Sequence, residues 1–179
     1  MNRRLAGIAL GVALVAVACS GGDGTATDAA SGEPTSVAVE VQGDPIPTIP
    51  FERFDGESAT LASYAGRPLV VNFWASWCPS CVSEMSAAFL PAQQALGDQV
   101  AFLGLNIADE RDQAQELAAE TGVLFDLAED TTGALYTELG GLGMPFTVYI
   151  SADGRVLDVH NGPLTQDQLV DQITRNLLS

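Results

Sequence analysis

Two cysteines with two residues between them stand in Trp77-Cys78-Pro79-Ser80-Cys81, soon after the apolar run Leu69-Val70-Val71-Asn72-Phe73-Trp74. Thiols at that spacing can make and break a disulfide between themselves if the chain brings them within about 5.5–6 Å, Cα to Cα. Three residues apart on a helix, both side chains lie on one face, so they can pair with little movement of the backbone.

The neighbouring residues supply the setting. Positions 70–73 are short, apolar and β-branched, as expected of a strand covered on both faces, and Pro79 suits the first turn of a helix. Cys78 is therefore expected at a helix N-terminus. There, free backbone N–H groups and the positive end of the helix dipole favour a thiolate over a thiol. Cys78 reads as the attacking sulfur. Cys81 opens the stripe Cys81, Met85, Phe89, which should face the sheet, and so reads as the more buried, resolving sulfur.

Two other uses of a cysteine pair fit less well. A structural zinc site needs four ligands, and the only further candidates are Cys19 and His160. A structural disulfide closing so short a loop adds little, because the entropic gain grows with loop length. His160 lies on a late strand far from the cysteines in sequence and reads as structural or solvated. No metal and no cofactor is implied.

The N-terminus carries an address. Arg3-Arg4, an apolar stretch at 5–18 and the small residues Ala16-Val17-Ala18 before Cys19 form a secretory signal over residues 1–18, too short to span a membrane as a helix. A cysteine at that point is similar to the lipidation site of bacterial lipoproteins, with Ala16 a less typical choice than leucine three residues before it. Cys19 is the expected lipid attachment site, placing the protein outside the cytoplasm on the cell membrane. Residues 19–45, rich in Gly, Ser, Thr, Ala and Asp, read as a flexible linker, with a short strand expected at 36–41. Residues 46–179 are enough for one domain with its own core.

The formal net charge is −16, and the basic residues are seven arginines with no lysine. That excess of negative charge argues against nucleic acid and against anionic lipid as partners of the folded domain.

Along the domain, residues 51–54, Asp55-Gly56 and Thr60-Leu61 predict a small hairpin. The cysteine-bearing helix is expected to bend or stop near Pro91. Residues 100–107 predict a strand, Asp109 an N-cap for the next helix, and Gly122 its end. A short strand at 123–127 and a helix at 132–139, stopped by Gly140-Gly141, follow. Residues 146–150 and 156–160 flank Ala152-Asp153-Gly154, a hairpin turn that wants positive φ. Thr165 and Gln168 form a capping box, with Leu164 and Leu169 as a staple, for a last helix with the stripe Leu169, Ile173, Leu177. Strands alternating with helices, closed by a hairpin and a helix, mean an α/β domain with a central mixed sheet.

Val71-Asn72-Phe73-Trp74-Ala75-Ser76-Trp77-Cys78-Pro79-Ser80-Cys81, with Met144-Pro145 opening a later strand, resembles the thioredoxin superfamily and within it the TlpA, ResA and CcmG group of membrane-tethered thiol-disulfide oxidoreductases. The resemblance runs from about residue 46 to the C-terminus. It implies a thioredoxin-like fold with an N-terminal β-hairpin extension, and a cis Pro145 lying against the cysteines. Pro145 lacks an N–H, which leaves the backbone of Met144 to pair with an extended substrate. It also implies that Glu84, one turn beyond Cys81, can take the Cys81 proton if it is buried. Asn72 stands where cytoplasmic thioredoxins have a buried aspartate. Phe146 replaces a glutamate usual in the cytochrome-maturation branch. Trp77, Pro79, Ser80, Met144 and Pro145 are the expected substrate contacts, whereas Trp74 could simply fill the core.

The expected activity is disulfide exchange with protein thiols and disulfides, in the reducing direction, with electrons from a membrane donor. The rival is an exported disulfide-forming oxidase. A Cu(I) carrier of this fold would add a histidine ligand and a longer cysteine spacing, and a thiol peroxidase would place Thr and Arg groups around its cysteine; neither pattern is evident around Cys78.

Overall fold

The computed structural model describes residues 43–179. The signal at 1–18, Cys19 and the strand expected at 36–41 lie outside the described residues. Among the described residues, eight strands form one sheet: β1 (Asp44–Pro45), β2 (Phe51–Arg53), β3 (Ser58–Ala59), β4 (Leu69–Trp74), β5 (Ala101–Asn106), β6 (Asp126–Glu129), β7 (Phe146–Ile150) and β8 (Arg155–Asn161). Their spatial order is β1-β8-β7-β4-β5-β6-β2-β3. β4 pairs in parallel with β5 and antiparallel with β7, so the sheet is mixed. The sheet includes Asp44 and Pro45, which pair with Val156 and Arg155.

The β4 strand is buried at every position. Its alternation sorts the core into two halves. Val70 and Trp74 pack beneath α1 (Pro79–Glu84), α2 (Leu90–Leu96), α3 (Arg111–Thr121) and α5 (Gln166–Leu177). Leu69, Val71 and Phe73 face the other side, against a 3-10 turn at Leu61–Tyr64 and α4 (Ala134–Glu138). Phe73, Tyr136 and Phe146 meet there with ring centroids 5.5–5.6 Å apart. This is the three-layer arrangement that an apolar central strand demands.

The hairpin expected ahead of β4 is present as β2 and β3, and β2 also joins β6, so the extension is part of the main sheet. Gly154 takes the positive φ of 79° that its turn requires. The capping box at Thr165 forms, with the Gln168 N–H donating to the Thr165 hydroxyl and the Gln168 side chain accepting from the Thr165 N–H.

Four local expectations need correction. The helix does not stop at Pro91, which lies inside α2. Instead a π turn at Met85–Phe89, closed by the Leu90 N–H on the Met85 carbonyl, joins α1 to α2. Widening the turn just ahead of Pro91 accommodates a residue with no N–H to give. Asp109 does not cap α3; the N-cap is Glu110, and the Asp109 carboxylate is taken up by Ser76 and Asn106. The strand expected at 123–127 starts at Asp126, because Phe125 turns into the core against Phe89 and Phe102 while Leu124 points to solvent. The helix expected from 132 starts at Ala134, since Gly133 sits at φ 66°, outside the helical region.

Candidate active site

The site forms where β4 runs out of the sheet. After Trp74 the chain turns, with the Cys78 N–H bonded to the Ala75 carbonyl, and enters α1 at Pro79. Cys78 is the N-cap: its Sγ accepts the Cys81 N–H at 3.3 Å, and Ser80 Oγ lies 3.4 Å away. The helix N-terminus thus supplies the Cys81 N–H directly to the Cys78 sulfur.

Cys78 and Cys81 are joined as a disulfide, with their Cα atoms 5.3 Å apart. Their environments differ: Cys78 is 6% exposed and Cys81 fully buried. Trp77, Pro79 and Ser80 are exposed around them. The asymmetry places Cys78 nearer the surface and Cys81 behind it.

Glu84 follows one turn beyond Cys81 on the same helix and is only 3% exposed. Its Oε1 accepts the Leu164 N–H at 2.6 Å and its Oε2 accepts the Asn72 side-chain amide at 3.2 Å. Burial raises its pKa from 4.5 to about 7, and these two hydrogen bonds only partly oppose the rise. A carboxyl balanced near neutrality can give or take a proton at little cost. Asn72 Oδ1 has no hydrogen-bond partner among the described residues, nor has the hydroxyl of Thr147, which stands opposite Asn72 across β4 and β7.

The Met144–Pro145 peptide bond is cis. Phe146 pairs with Phe73 on β4, so Pro145, one residue earlier, emerges at the end of the sheet where the cysteine loop begins. Pro145 is buried, Met144 half-buried, and Leu142 nearby is 89% exposed. His160 lies on β8 with Nδ1 3.5 Å from the Gln172 amide, apart from the cysteines. Trp74 is fully buried in the core. Among the described residues no group of three or more His, Cys, Asp or Glu side chains could hold a metal ion.

Two features had no local signal in the sequence. One is the Asn72 bond to Glu84, made across the layers. The other is the set of contacts from Ser76 and Trp77 to the loop after β5, which comes from 31–33 residues away.

Residues 41–177 match the sequence profile of the Redoxin family. The thiol:disulfide interchange protein DsbE of Vibrio cholerae is 30% identical over 138 residues, covering 75% of this chain and 73% of its own. The thiol-disulfide oxidoreductase ResA of Geobacillus thermodenitrificans is 27% identical over 139 residues, covering 76% and 77%. Among solved structures, MTB dsbF superposes with a TM-score of 0.66 at 28% identity, covering 73% of this chain and 98% of its own. A disulfide-bonded cysteine pair at a helix N-terminus, a thioredoxin-like mixed sheet and this similarity together mean that the chain belongs to the Redoxin family as a thiol-disulfide oxidoreductase of the DsbE and ResA kind.

Proposed function

We propose that the protein reduces disulfides of partner proteins outside the cytoplasm through Cys78 and Cys81. The observation that carries this reading is the asymmetric cysteine pair, with Cys78 as the N-cap of α1 and Cys81 fully buried one turn behind it.

In the reduced protein, the Cys78 thiolate attacks one sulfur of a partner disulfide. A mixed disulfide forms, and the other partner sulfur leaves as a thiolate with the electron pair of the broken bond. Cys81 then gives its proton to Glu84 and attacks the Cys78 sulfur. The Cys78–Cys81 disulfide forms, and the second partner sulfur departs. The partner gains two electrons and takes up two protons; the pair in the protein is left oxidised, the state in which the structure holds it. A dithiol donor in the membrane restores the reduced pair.

Trp77, Pro79 and Ser80 border Cys78 and would meet the partner there. Met144 would pair its backbone with an extended partner segment beside Pro145, whose missing N–H leaves that edge open. The export signal and a lipidated Cys19 would hold the domain at the outer surface of the cell membrane. No helix of the described residues is long and apolar enough to cross a membrane.

The same steps run backwards oxidise a partner dithiol, and the direction follows from the donor the cell supplies, since about 30 mV changes the equilibrium tenfold. Thiol trapping in cells tests it. A mostly reduced Cys78–Cys81 pair is expected, and a mostly oxidised one would replace the reductase reading with the oxidase.

A further inference from the structure

The turn that delivers Cys78 is tied to the loop after β5 by a cluster of hydrogen bonds centred on Asp109. Ser76 donates to the Asp109 carboxylate twice, from its N–H to Oδ2 and from its hydroxyl to Oδ1 at 2.6 Å. The buried amide of Asn106 donates to Oδ2 at 2.9 Å, and the Glu110 N–H donates to Oδ1 at 2.9 Å. Both oxygens of Asp109 are therefore used, each by two donors. Burial alone would raise the Asp109 pKa, but the Ser76, Asn106 and Glu110 hydrogen bonds outweigh it and hold the carboxyl below its ordinary value.

Between Asn106 and Asp109 the backbone does something unusual. Ala108 takes φ 50°, the left-handed region, and is the only residue other than glycine to do so among the described residues. A Cβ makes that conformation unfavourable, so neighbouring contacts must hold it. The Asn106–Asp109 side-chain bond closes over Ala108, and the Ile107 N–H is fixed on the Trp74 carbonyl at 3.1 Å. In this conformation the Ala108 carbonyl accepts the indole N–H of Trp77 at 2.8 Å. Trp77 is 58% exposed, a large apolar ring presented to solvent directly beside Cys78.

We propose that Asp109 is a positioning residue for partner recognition. It locks the Ser76 turn, supports the left-handed Ala108, and so holds the exposed indole of Trp77 in one orientation beside the reactive sulfur. An aromatic side chain fixed before the partner arrives loses less conformational freedom on binding than a free one, which strengthens the encounter without touching the sulfur chemistry. The proposal rests on the reading of the site as a disulfide exchange centre, and deepens it by assigning how the rim of the site is set.

The test uses the full chain and two readouts. The first is acrylamide quenching of tryptophan fluorescence in the reduced protein. Of the two tryptophans, Trp74 is fully buried, so the quenching reports Trp77. The second is steady-state reduction of a dye-quenched probe, two nine-residue peptides joined by a disulfide. For Asp109→Ala we expect quenching to rise about twofold, and KM for the peptide to rise about threefold to tenfold with kcat within about twofold, the size expected for losing one preorganised side chain. Ser76→Ala, which deletes one bond of the cluster and carries less risk to folding, should move both readouts the same way by a smaller amount. Unchanged quenching in both variants would overturn the latch. Increased quenching with an unchanged KM would overturn its role in recognition, and so would a fall in kcat at constant KM. Failure of the unaltered protein to reduce the peptide would instead count against the exchange reading, while the quenching arm still judges the latch.

Discussion

The Glu84 carboxylate is met from the sheet by the side chain of Asn72, Nδ2 to Oε2 3.2 Å, beneath the helix that carries Cys81. A strand residue thus reaches between the layers to a buried acid that lies one turn beyond Cys81 on the same helix. The amide is neutral, so it stabilises the carboxylate less than a cation would. Burial therefore dominates and leaves the Glu84 pKa near 7.

Glu84 should make stability depend on pH. Its folded pKa of about 7 lies above the ordinary 4.5, so the folded protein binds the proton more tightly than the unfolded chain. The resulting stability is fully present below about pH 4.5 and is lost as the pH rises through 7. Ionising Glu84 should remove roughly 3 kcal/mol by pH 8. Glu84→Gln should remove this component. Urea unfolding of the oxidised protein at pH 5 and pH 8 checks it: the loss between the two pH values should be smaller in the variant.

The same substitution should slow resolution. Glutamine keeps the shape but cannot accept the Cys81 proton, and a positioned general base is worth about a hundredfold or more. Stopped-flow decay of a preformed Cys78 mixed disulfide at pH 7 should be slower in Glu84→Gln by at least about tenfold. Formation of that mixed disulfide should change far less.

The two cysteines should separate cleanly. Cys81→Ser removes the resolving thiol, so the mixed disulfide with a partner should accumulate. Cys78→Ser removes the outer sulfur of the pair and leaves only the fully buried Cys81 at the site, so no adduct should form there. Mass spectrometry after incubation with a disulfide-containing partner distinguishes the variants.

Gly104 on β5 has no room for a side chain. A Cβ there would lie 2.8 Å from Leu127 Cδ2, 3.0 Å from Phe125 Cε2 and 3.2 Å from Trp74 Nε1. Gly104→Ala should therefore destabilise the fold by about 1–3 kcal/mol through overpacking. A lowered urea midpoint with an unchanged slope would match this mechanism.

The last helix offers a milder change. Thr165→Ala removes the hydroxyl that accepts the Gln168 N–H and should cost about 1 kcal/mol. Thermal unfolding would show a small drop in Tm with no effect on exchange.

Short spacings along the chain were enough to set several features. Cys78 and Cys81 share a helical face because they are three residues apart, and Thr165 caps its helix through Gln168 for the same reason. The all-apolar β4 run required cover on both sides, and with it a layered α/β fold. Contacts between residues distant along the chain were set by packing in three dimensions. Asp109 has the right chemistry for an N-cap, yet Ser76, 33 residues away, claims its carboxylate. Asn72 meets Glu84 because β4 and α1 pack face to face, and Phe125 leaves its expected strand because Phe89 and Phe102 offer it a buried place. Local propensities differ by about 1 kcal/mol or less, whereas burying an aromatic ring or satisfying a buried carboxylate is worth more, so where the two compete the packing wins.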